Sequence, residues 1–139
     1  MTSYRLQRLA VMPLIGLHVI GAGIATALAF LVWPPLAVVV ALLLLHIVRL
    51  VFWPPYVART DADGIRLGGQ FTTKPMRIEW SEIEDVSLQG GALLFDRGET
   101  GTISFPLAYV GAQAEVLVRD VYDRLNTANG YRRFDPDAV

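Results

Sequence analysis

His18 and His46 are the two residues of the sequence whose chemistry stands out, because both lie inside long apolar runs. His18 follows the start of the first run, at Val11, by about two helical turns. His46 precedes the end of the second run, at Trp53, by the same distance. In an antiparallel helical hairpin these positions share a depth of roughly 10 Å from the open end. The spacing therefore predicts two imidazoles at one level.

Two imidazoles at one level could support several kinds of chemistry. A histidine pair is the ligand set of a bis-histidine haem, and imidazole also binds metals and relays protons. Alternatively, each imidazole hydrogen-bonds a neighbouring group and joins the helices as a polar contact. The sequence offers no second pair and no acidic residue in either run. We prefer the polar-contact interpretation of His18 and His46, and predict no metal and no cofactor.

The elements that would position these histidines are the two apolar runs, Val11–Trp33 and Leu36–Trp53, separated by a double proline. Each is about twenty residues long, the length that a helix needs to cross a bilayer core of about 30 Å. Arg49 is the one side chain in this stretch that is charged at neutral pH. The sequence predicts a transmembrane hairpin with helices at about residues 11–33 and 36–53. The first run is longer than a signal-peptide core, so we expect an uncleaved anchor.

Arginines and tryptophans predict how this hairpin lies in the membrane. Arg5 and Arg8 precede the first run and Arg59 follows the second, whereas the double-proline turn is uncharged. By the positive-inside rule, both termini are expected in the cytoplasm and the turn outside an inner (plasma) membrane. The predicted interface anchors are Trp33, Trp53 and Arg49, since indole favours the headgroup level and an arginine stem can snorkel towards it.

Small residues at a spacing of four predict a helix-packing face. Gly21, Ala25 and Ala29 form such a row in the first helix, and Ala37 and Ala41 have the same spacing in the second. Small residues let helices approach closely in lipid, where packing replaces the hydrophobic effect. We expect these rows to pack the two helices together; the alternative is docking onto another membrane protein.

Charge divides the chain and excludes several functions. The first 55 residues contain three arginines and no acidic residue, whereas all thirteen Asp and Glu residues come later. A mildly acidic domain is a poor nucleic-acid binder and is not drawn strongly to anionic lipid by charge alone. The absence of cysteine excludes disulfides, thiolate metal sites and cysteine catalysis.

The remainder of the chain predicts a small α+β domain at residues 56–130, after a lead and hairpin at residues 1–55 and before a tail at 131–139. Alternation of polar and apolar residues and turn signals predict short antiparallel strands, five to seven in all. They are expected at Tyr56–Arg59, Gly64–Leu67, Arg77–Trp80, Ser81–Leu88 after a kink near Ser81, Ala92–Phe95 and Thr102–Phe105.

The last predicted element is an amphipathic helix at Ala112–Asn126, with Gly130 just past its end. Its predicted apolar face contains Val116, Val121 and Leu125, with Val118 or Arg119 between. The predicted core face of the strands contains Ile78, Trp80, Ile83, Val86 and Leu88.

Four carboxylates surround Trp80: Glu79, Glu82, Glu84 and Asp85. Such a cluster could bind a cation or act as acid and base. Period-two alternation already explains each position as a solvated strand face with Trp80 in the core, and we prefer that interpretation.

The run DADGIRLGGQFTTKPMRIEWSEIEDVSL resembles the small bacterial pleckstrin-homology-like domains that follow one or two membrane helices. Among these domains it resembles the actinobacterial "low molecular weight protein antigen six" group, which also has a Trp-Pro turn between apolar runs. The shared features are the turn Asp63-Gly64-Ile65 and the stretch Arg77–Ile83, with Val86 three residues on.

The resemblance implies a bacterial, membrane-anchored protein with a cytoplasmic pleckstrin-homology-like sheet or barrel capped by a C-terminal helix, and a binding or scaffolding role. It supplies no catalytic residues. The phosphoinositide site of eukaryotic relatives needs a basic cluster in the first hairpin loops. Here residues 68–75 contain only Lys74, with Arg66 and Arg77 nearby, which argues against phosphoinositide binding.

These observations favour a non-enzymatic module that binds a protein partner, or an accessory subunit of a larger inner-membrane complex. A redox or transport role through the histidine pair is the alternative. An enzyme of envelope or lipid metabolism is least favoured, because the glycine pairs at 68–69 and 90–91 fit neither a phosphate-binding loop nor a dinucleotide fingerprint.

Overall fold

A computed structural model of the chain describes residues 1–68 and 75–130. The chain separates into two compact units, an α+β unit formed by Met1–Arg5 with the chain from Tyr56 onward, and a helical unit, Leu6–Pro55. The predicted loop at residues 68–75, apart from its two end residues, and the predicted tail at 131–139 lie outside the described residues. The structure differs from the predicted domain boundaries at one point: the first five residues belong to the α+β unit and not to the hairpin.

The helical unit is a hairpin of two helices, α1 (Arg8–Leu31) and α2 (Ala37–Phe52). A single 3-10 turn, Pro34–Leu36, joins them, with proline at its first positions, where a missing N–H costs nothing. Both helices are long and apolar enough to cross a membrane, judged by length and composition. At the open end of the hairpin the Leu6 amide donates to the Pro55 carbonyl at 2.9 Å, so the two ends of the unit are adjacent.

The first sheet contains β1 (Thr2–Arg5), β2 (Tyr56–Thr60), β3 (Gly64–Leu67) and β4 (Met76–Glu79), antiparallel and in the order β1-β2-β3-β4. The prediction treated residues 1–10 as a polar lead, and in the structure four of them form an edge strand. Tyr4 pairs with Ala58, and both are buried. The helical unit is therefore inserted in the chain between two hydrogen-bonded neighbouring strands.

The second sheet contains β5 (Asp85–Gln89), β6 (Ala92–Asp96) and β7 (Thr102–Pro106), again antiparallel and in chain order. Gly90 and Gly91 form the β5–β6 turn with φ values of 58° and 76°, which favour glycine. A 3-10 turn at Trp80–Glu82 lies between β4 and β5, where the sequence predicted a kink. No strand pairing joins the two sheets within residues 1–68 and 75–130, so the structure has two sheets where a single sheet or barrel was expected.

The core of the α+β unit contains the apolar residues of both sheets and one face of α3 (Ala114–Ala128). Its largest fully buried side chains include Trp80, Ile65, Ile78, Leu93 and Phe95. Of the five strand residues predicted to face the core, Ile78, Trp80, Ile83 and Val86 are buried. Leu88 is an exception, because it is 54% exposed. Its cross-strand partner Leu93 is fully buried, but β5 is an edge strand of the second sheet, so Leu88 lies at the margin of the core.

Helix α3 places Leu117, Val121 and Leu125 in the core, at an even spacing of four residues. The predicted apolar face was wrong at its start, because Val116 is 60% exposed. A spacing of five between Val116 and Val121 rotates the first residue off the face that the other two share, whereas Leu117 lies on it. Gly130, with φ of 71°, follows the helix end as predicted.

Candidate functional site

The structure brings the two histidines of the hairpin together. The ring centroids of His18 and His46 are 4.9 Å apart, with an interplanar angle of 28°, so the imidazoles stack. His18 lies in the middle part of α1 and His46 in the second half of α2. Their shared level is the one that the sequence spacing predicted.

The hydrogen bonding of His18 defines its tautomer. Its Nδ1 lies 2.8 Å from the carbonyl oxygen of Leu14, one turn earlier in α1. A carbonyl oxygen can only accept, so Nδ1 donates and carries the proton. In the neutral ring, Nε2 then keeps the lone pair. This backbone contact is the hydrogen bond that the polar-contact interpretation expects for His18, but it stays within α1; the contact between the helices is the ring stacking with His46.

A haem or a structural metal does not fit this arrangement. A macrocycle held by two axial histidines must lie between two rings that approach it edge-on. Here the rings of His18 and His46 stack on each other. A structural zinc ion takes four ligands and a catalytic one three, and the described part of the chain contains no group of three or more His, Asp or Glu that could hold a metal ion.

The small residues of α1 lie where the second helix packs. Ala22 and Ala25 are buried, Gly21 and Ala29 are partly buried, and Leu43 Cδ1 of α2 would lie 3.7 Å from a Cβ added at Gly21.

The corresponding alanines of α2 are both exposed: Ala41 is not part of the covered surface, and Ala37 lines an open groove with Ala29 of α1. Instead the larger Val40, Leu43 and Ile47 are partly covered. The helices thus pack small residues against large ones, whereas two matching small rows would bring the backbones closer.

The predicted interface anchors are exposed at helix ends. Trp33 follows α1 and Trp53 follows α2, and both indoles are more than half exposed. The Arg49 guanidinium makes no ion pair or hydrogen bond with any residue that the structure describes. It borders an open groove on α2 with Trp53, His46 and Leu42.

Trp80 and its four acidic neighbours form a structural cap. The indole is buried, and Nε1 donates to the Asp61 carbonyl at 3.1 Å. The Glu79 and Glu82 side chains form a reciprocal capping box around the 3-10 turn. All four carboxylates are exposed. The solvated carboxylates and the buried Trp80 agree with the prediction, but a 3-10 turn replaces the continuous alternating strand at Trp80–Glu82.

Sequence reasoning missed a polar network centred on Asp120 of α3. Its Oδ2 accepts from Tyr4 Oη at 3.0 Å and from Thr60 Oγ1 at 2.5 Å, and its Oδ1 accepts from Arg124 Nε at 2.8 Å. Arg124 also donates to Thr2 Oγ1 at 3.3 Å. The network joins α3 to β1 and β2.

This network sets the ionisation of the Asp120 carboxyl. Burial raises its pKa, but the hydrogen bonds from Thr60, Arg124 and Tyr4 and the charge of Arg124 lower it more, so the net pKa lies below the usual range. Burial and the hydrogen bond to Asp120 raise the pKa of Tyr4. The sequence signal was limited to the spacing of four between Asp120 and Arg124, because Tyr4 and Thr60 are distant in the chain.

Comparisons of this chain with protein-family models, with curated proteins and with solved structures give no match. The structure itself defines an α+β class of protein with two antiparallel sheets and a C-terminal helix that packs against them. An apolar helical hairpin is inserted between β1 and β2 of the first sheet.

Proposed function

We propose that the chain is a non-enzymatic, membrane-anchored module. In this proposal α1 and α2 cross the inner membrane of a bacterium as a hairpin, and the α+β unit lies in the cytoplasm. There it binds a protein partner as a scaffold, or the whole chain serves as an accessory subunit of a larger membrane complex.

The observation that carries the proposal is how little of the hairpin is covered. Three of the 24 residues of α1 and one of the 16 residues of α2 are buried. Large apolar side chains such as Ile20, Phe30 and Leu45 project outward along both helices. Soluble monomers rarely expose contiguous apolar patches above a few hundred Å². Lipid is the environment in which such a surface costs nothing.

The pairing of β1 with β2 supports a double crossing. One strand precedes α1 and the other follows α2, and the two are hydrogen-bonded neighbours. Both ends of the hairpin must then lie on the same side of any membrane that it enters. Arg5, Arg8 and Arg59 flank these ends, while the Pro34–Leu36 turn is uncharged, which favours cytoplasmic ends.

Two consecutive antiparallel sheets followed by one packed helix support the pleckstrin-homology-like assignment. That plan is a curved sheet closed by a C-terminal helix, and α3 contacts both sheets: Asp120 binds the first, and Tyr122 Oη donates to the Val86 carbonyl of the second at 2.7 Å. Small sheet domains of this kind serve as binding modules, which agrees with the exposed, capped carboxylates around Trp80.

The His18–His46 contact keeps a second candidate function, in which the pair carries protons or an ion within the membrane. Replacing both histidines with glutamine in the purified protein, and measuring absorbance and metal content before and after, tests it. A metal ion that copurifies with the native chain and is lost in the variant would support the ion-carrying form of this role. A colourless, metal-free native protein would argue against haem or metal.

Photo-crosslinking in native membranes tests the proposed partner binding. A photoreactive amino acid is placed at Leu88 or Val116, which are exposed on the α+β unit, or at Phe30, which is exposed on the hairpin. We expect one protein to be crosslinked repeatedly from one of these faces. Crosslinks to lipid or water alone, from all three positions, would contradict the proposal.

A further inference from the structure

Three arginines stand directly opposite one another across the first sheet. Arg59 of β2 pairs in register with Arg66 of β3, and Arg66 pairs with Arg77 of β4. Neighbouring strands are about 4.8 Å apart, so the three residues form one row across the strands. We propose that this arginine row is the docking surface for an acidic segment of a partner protein. The inference rests on the proposed binding function and specifies the charge of the partner's binding segment.

The row lies on the outer face of the sheet. Arg66 and Arg77 are exposed and Arg59 is partly so, whereas the residues beside them in each strand, such as Ile65 and Ile78, are fully buried. Successive side chains of a strand point to opposite faces. The arginines therefore share the face that the core does not use.

Arg5 and Tyr56 extend the row towards β1. The guanidinium carbons of Arg5 and Arg59 lie 4.7 and 4.2 Å from the centre of the Tyr56 ring, within cation–π range. Arg5 also donates to Tyr56 Oη at 2.9 Å. These contacts hold two of the guanidiniums in place before a partner arrives, which lowers the entropy cost of binding.

Among the residues that the structure describes, Arg77 makes the one ion pair of the row, with Asp61, and the charge of Arg66 also helps to lower the pKa of that carboxyl. Arg77 lies 3.8 Å from the Asp61 carboxylate, an exposed and loose ion pair. Arg5, Arg59 and Arg66 make no ion pair with any described residue. Like charges directly opposite one another destabilise a sheet. An anionic partner that binds this surface would reduce the repulsion between the arginines.

Carboxylates on a protein segment fit this row better than a lipid surface does. Guanidinium binds carboxylate through paired N–H donors, and Asp61 already places one carboxylate at the end of the row. Side chains three or four residues apart on a helix are about 5–6 Å apart, close to the step between strands. The chain after residue 55 is acidic overall, and such a domain is not drawn strongly to a flat anionic bilayer by charge alone.

Binding of a labelled hexaglutamate peptide to the full-length protein in a zwitterionic detergent tests the proposal, with hexaglutamine as the uncharged probe. We expect hexaglutamate alone to bind, and to bind less at higher salt. The double variant Arg59→Gln/Arg66→Gln should bind about tenfold more weakly, since each exposed ion pair contributes up to about 1 kcal/mol. Arg119→Gln, which removes an exposed arginine of α3 outside the row, should bind as the native protein does.

Arg66→Glu separates docking from folding. It places a carboxylate between Arg59 and Arg77, so we expect a higher unfolding temperature together with lost peptide binding. Native protein that does not bind hexaglutamate, or variants that bind it equally well, would overturn the proposal. Loss of copurifying phosphatidylglycerol in the double variant, with no peptide binding by the native protein, would also overturn it and assign the row to lipid. Membrane fractionation of the same variants reports on the anchor independently, because peptide binding in detergent does not require a bilayer.

Discussion

Tyr4 Oη donates a hydrogen bond to Asp120 Oδ2 at 3.0 Å, joining the N-terminal strand to the C-terminal helix across 116 positions of sequence. Thr60 and Arg124 also donate hydrogen bonds to the same carboxylate. The contact secures the short strand that precedes the hairpin, and so helps to hold β1 beside β2.

Asp120→Asn should destabilise the α+β unit. The amide keeps the shape of the carboxylate but loses its charge and presents a donor towards the hydroxyls of Tyr4 and Thr60. Breaking charge-assisted hydrogen bonds at a partly buried site costs about 1–3 kcal/mol. Denaturant unfolding followed by tryptophan fluorescence, which reports on buried Trp80, measures the loss.

Glu115→Gln is the matched control for that substitution. Glu115 lies on the same helix, is highly exposed and makes a loose ion pair with Arg119. We expect a change within about 0.5 kcal/mol. An equal effect of the two substitutions would mean that the Asp120 network contributes nothing specific.

The stabilisation by Asp120 should depend on pH in the acid range. Its pKa is lowered in the folded protein, so the unfolded chain binds the proton more tightly. The contribution is then fully present above the unfolded pKa of about 3.9 and is lost as the pH falls through the lower folded value. Stability curves of the native protein and Asp120→Asn should be separated at neutral pH and converge below about pH 4. A constant separation down to pH 2 would exclude the carboxylate as its source.

Helix packing in the hairpin should tolerate Gly21→Ala but not Gly21→Leu. An added Cβ at Gly21 meets Leu43 at 3.7 Å, an ordinary contact, whereas a longer side chain has no room. Overpacking of this kind costs about 1–3 kcal/mol. Gly23→Leu is the control, because nothing lies within 4 Å of a Cβ there. Thermal unfolding in detergent should rank Gly21→Leu clearly below the other two; a lower value for Gly23→Leu would contradict the packing.

The core face of α3 can be tested with two adjacent residues. Leu117 is fully buried and Val116 is 60% exposed. Leu117→Ala should cost about 2–5 kcal/mol, because it removes buried methyl groups and leaves a cavity. Val116→Ala should be close to neutral. Urea unfolding measures both losses of stability. A larger loss for Val116→Ala than for Leu117→Ala would support the apolar face that the sequence predicted.

Local pattern predicted the elements whose evidence is local. Alternation identified the strands from Tyr56 to Phe105, and the kink near Ser81 appears as the 3-10 turn that begins at Trp80. The shared level of His18 and His46 followed from their symmetric positions in the two runs. The strands and the kink depend on residues a few positions apart, and the histidine level depends on the distance of each histidine from the end of its own run.

Features that depend on distant partners were not predictable. The strand at Thr2–Arg5 has no hairpin turn or partner strand next to it in the sequence, because β2, which pairs with it, follows the whole hairpin. The Asp120 network and the arginine row both need the register of the sheet, because their members lie on different strands and are not neighbours in the sequence. Leu88 followed the alternation and still lies outside the core, since period alone does not say where a sheet ends.

Cysteine labelling of intact cells tests the central claim, that the hairpin crosses a membrane and leaves the sheets in the cytoplasm. The chain has no cysteine, so Pro35→Cys in the helical turn and Ser87→Cys on exposed β5 each introduce a single reporter. With a membrane-impermeant maleimide, Pro35→Cys should be labelled in intact spheroplasts and Ser87→Cys only after lysis. Labelling of Ser87→Cys from outside, or recovery of both variants in the soluble fraction, would contradict the account.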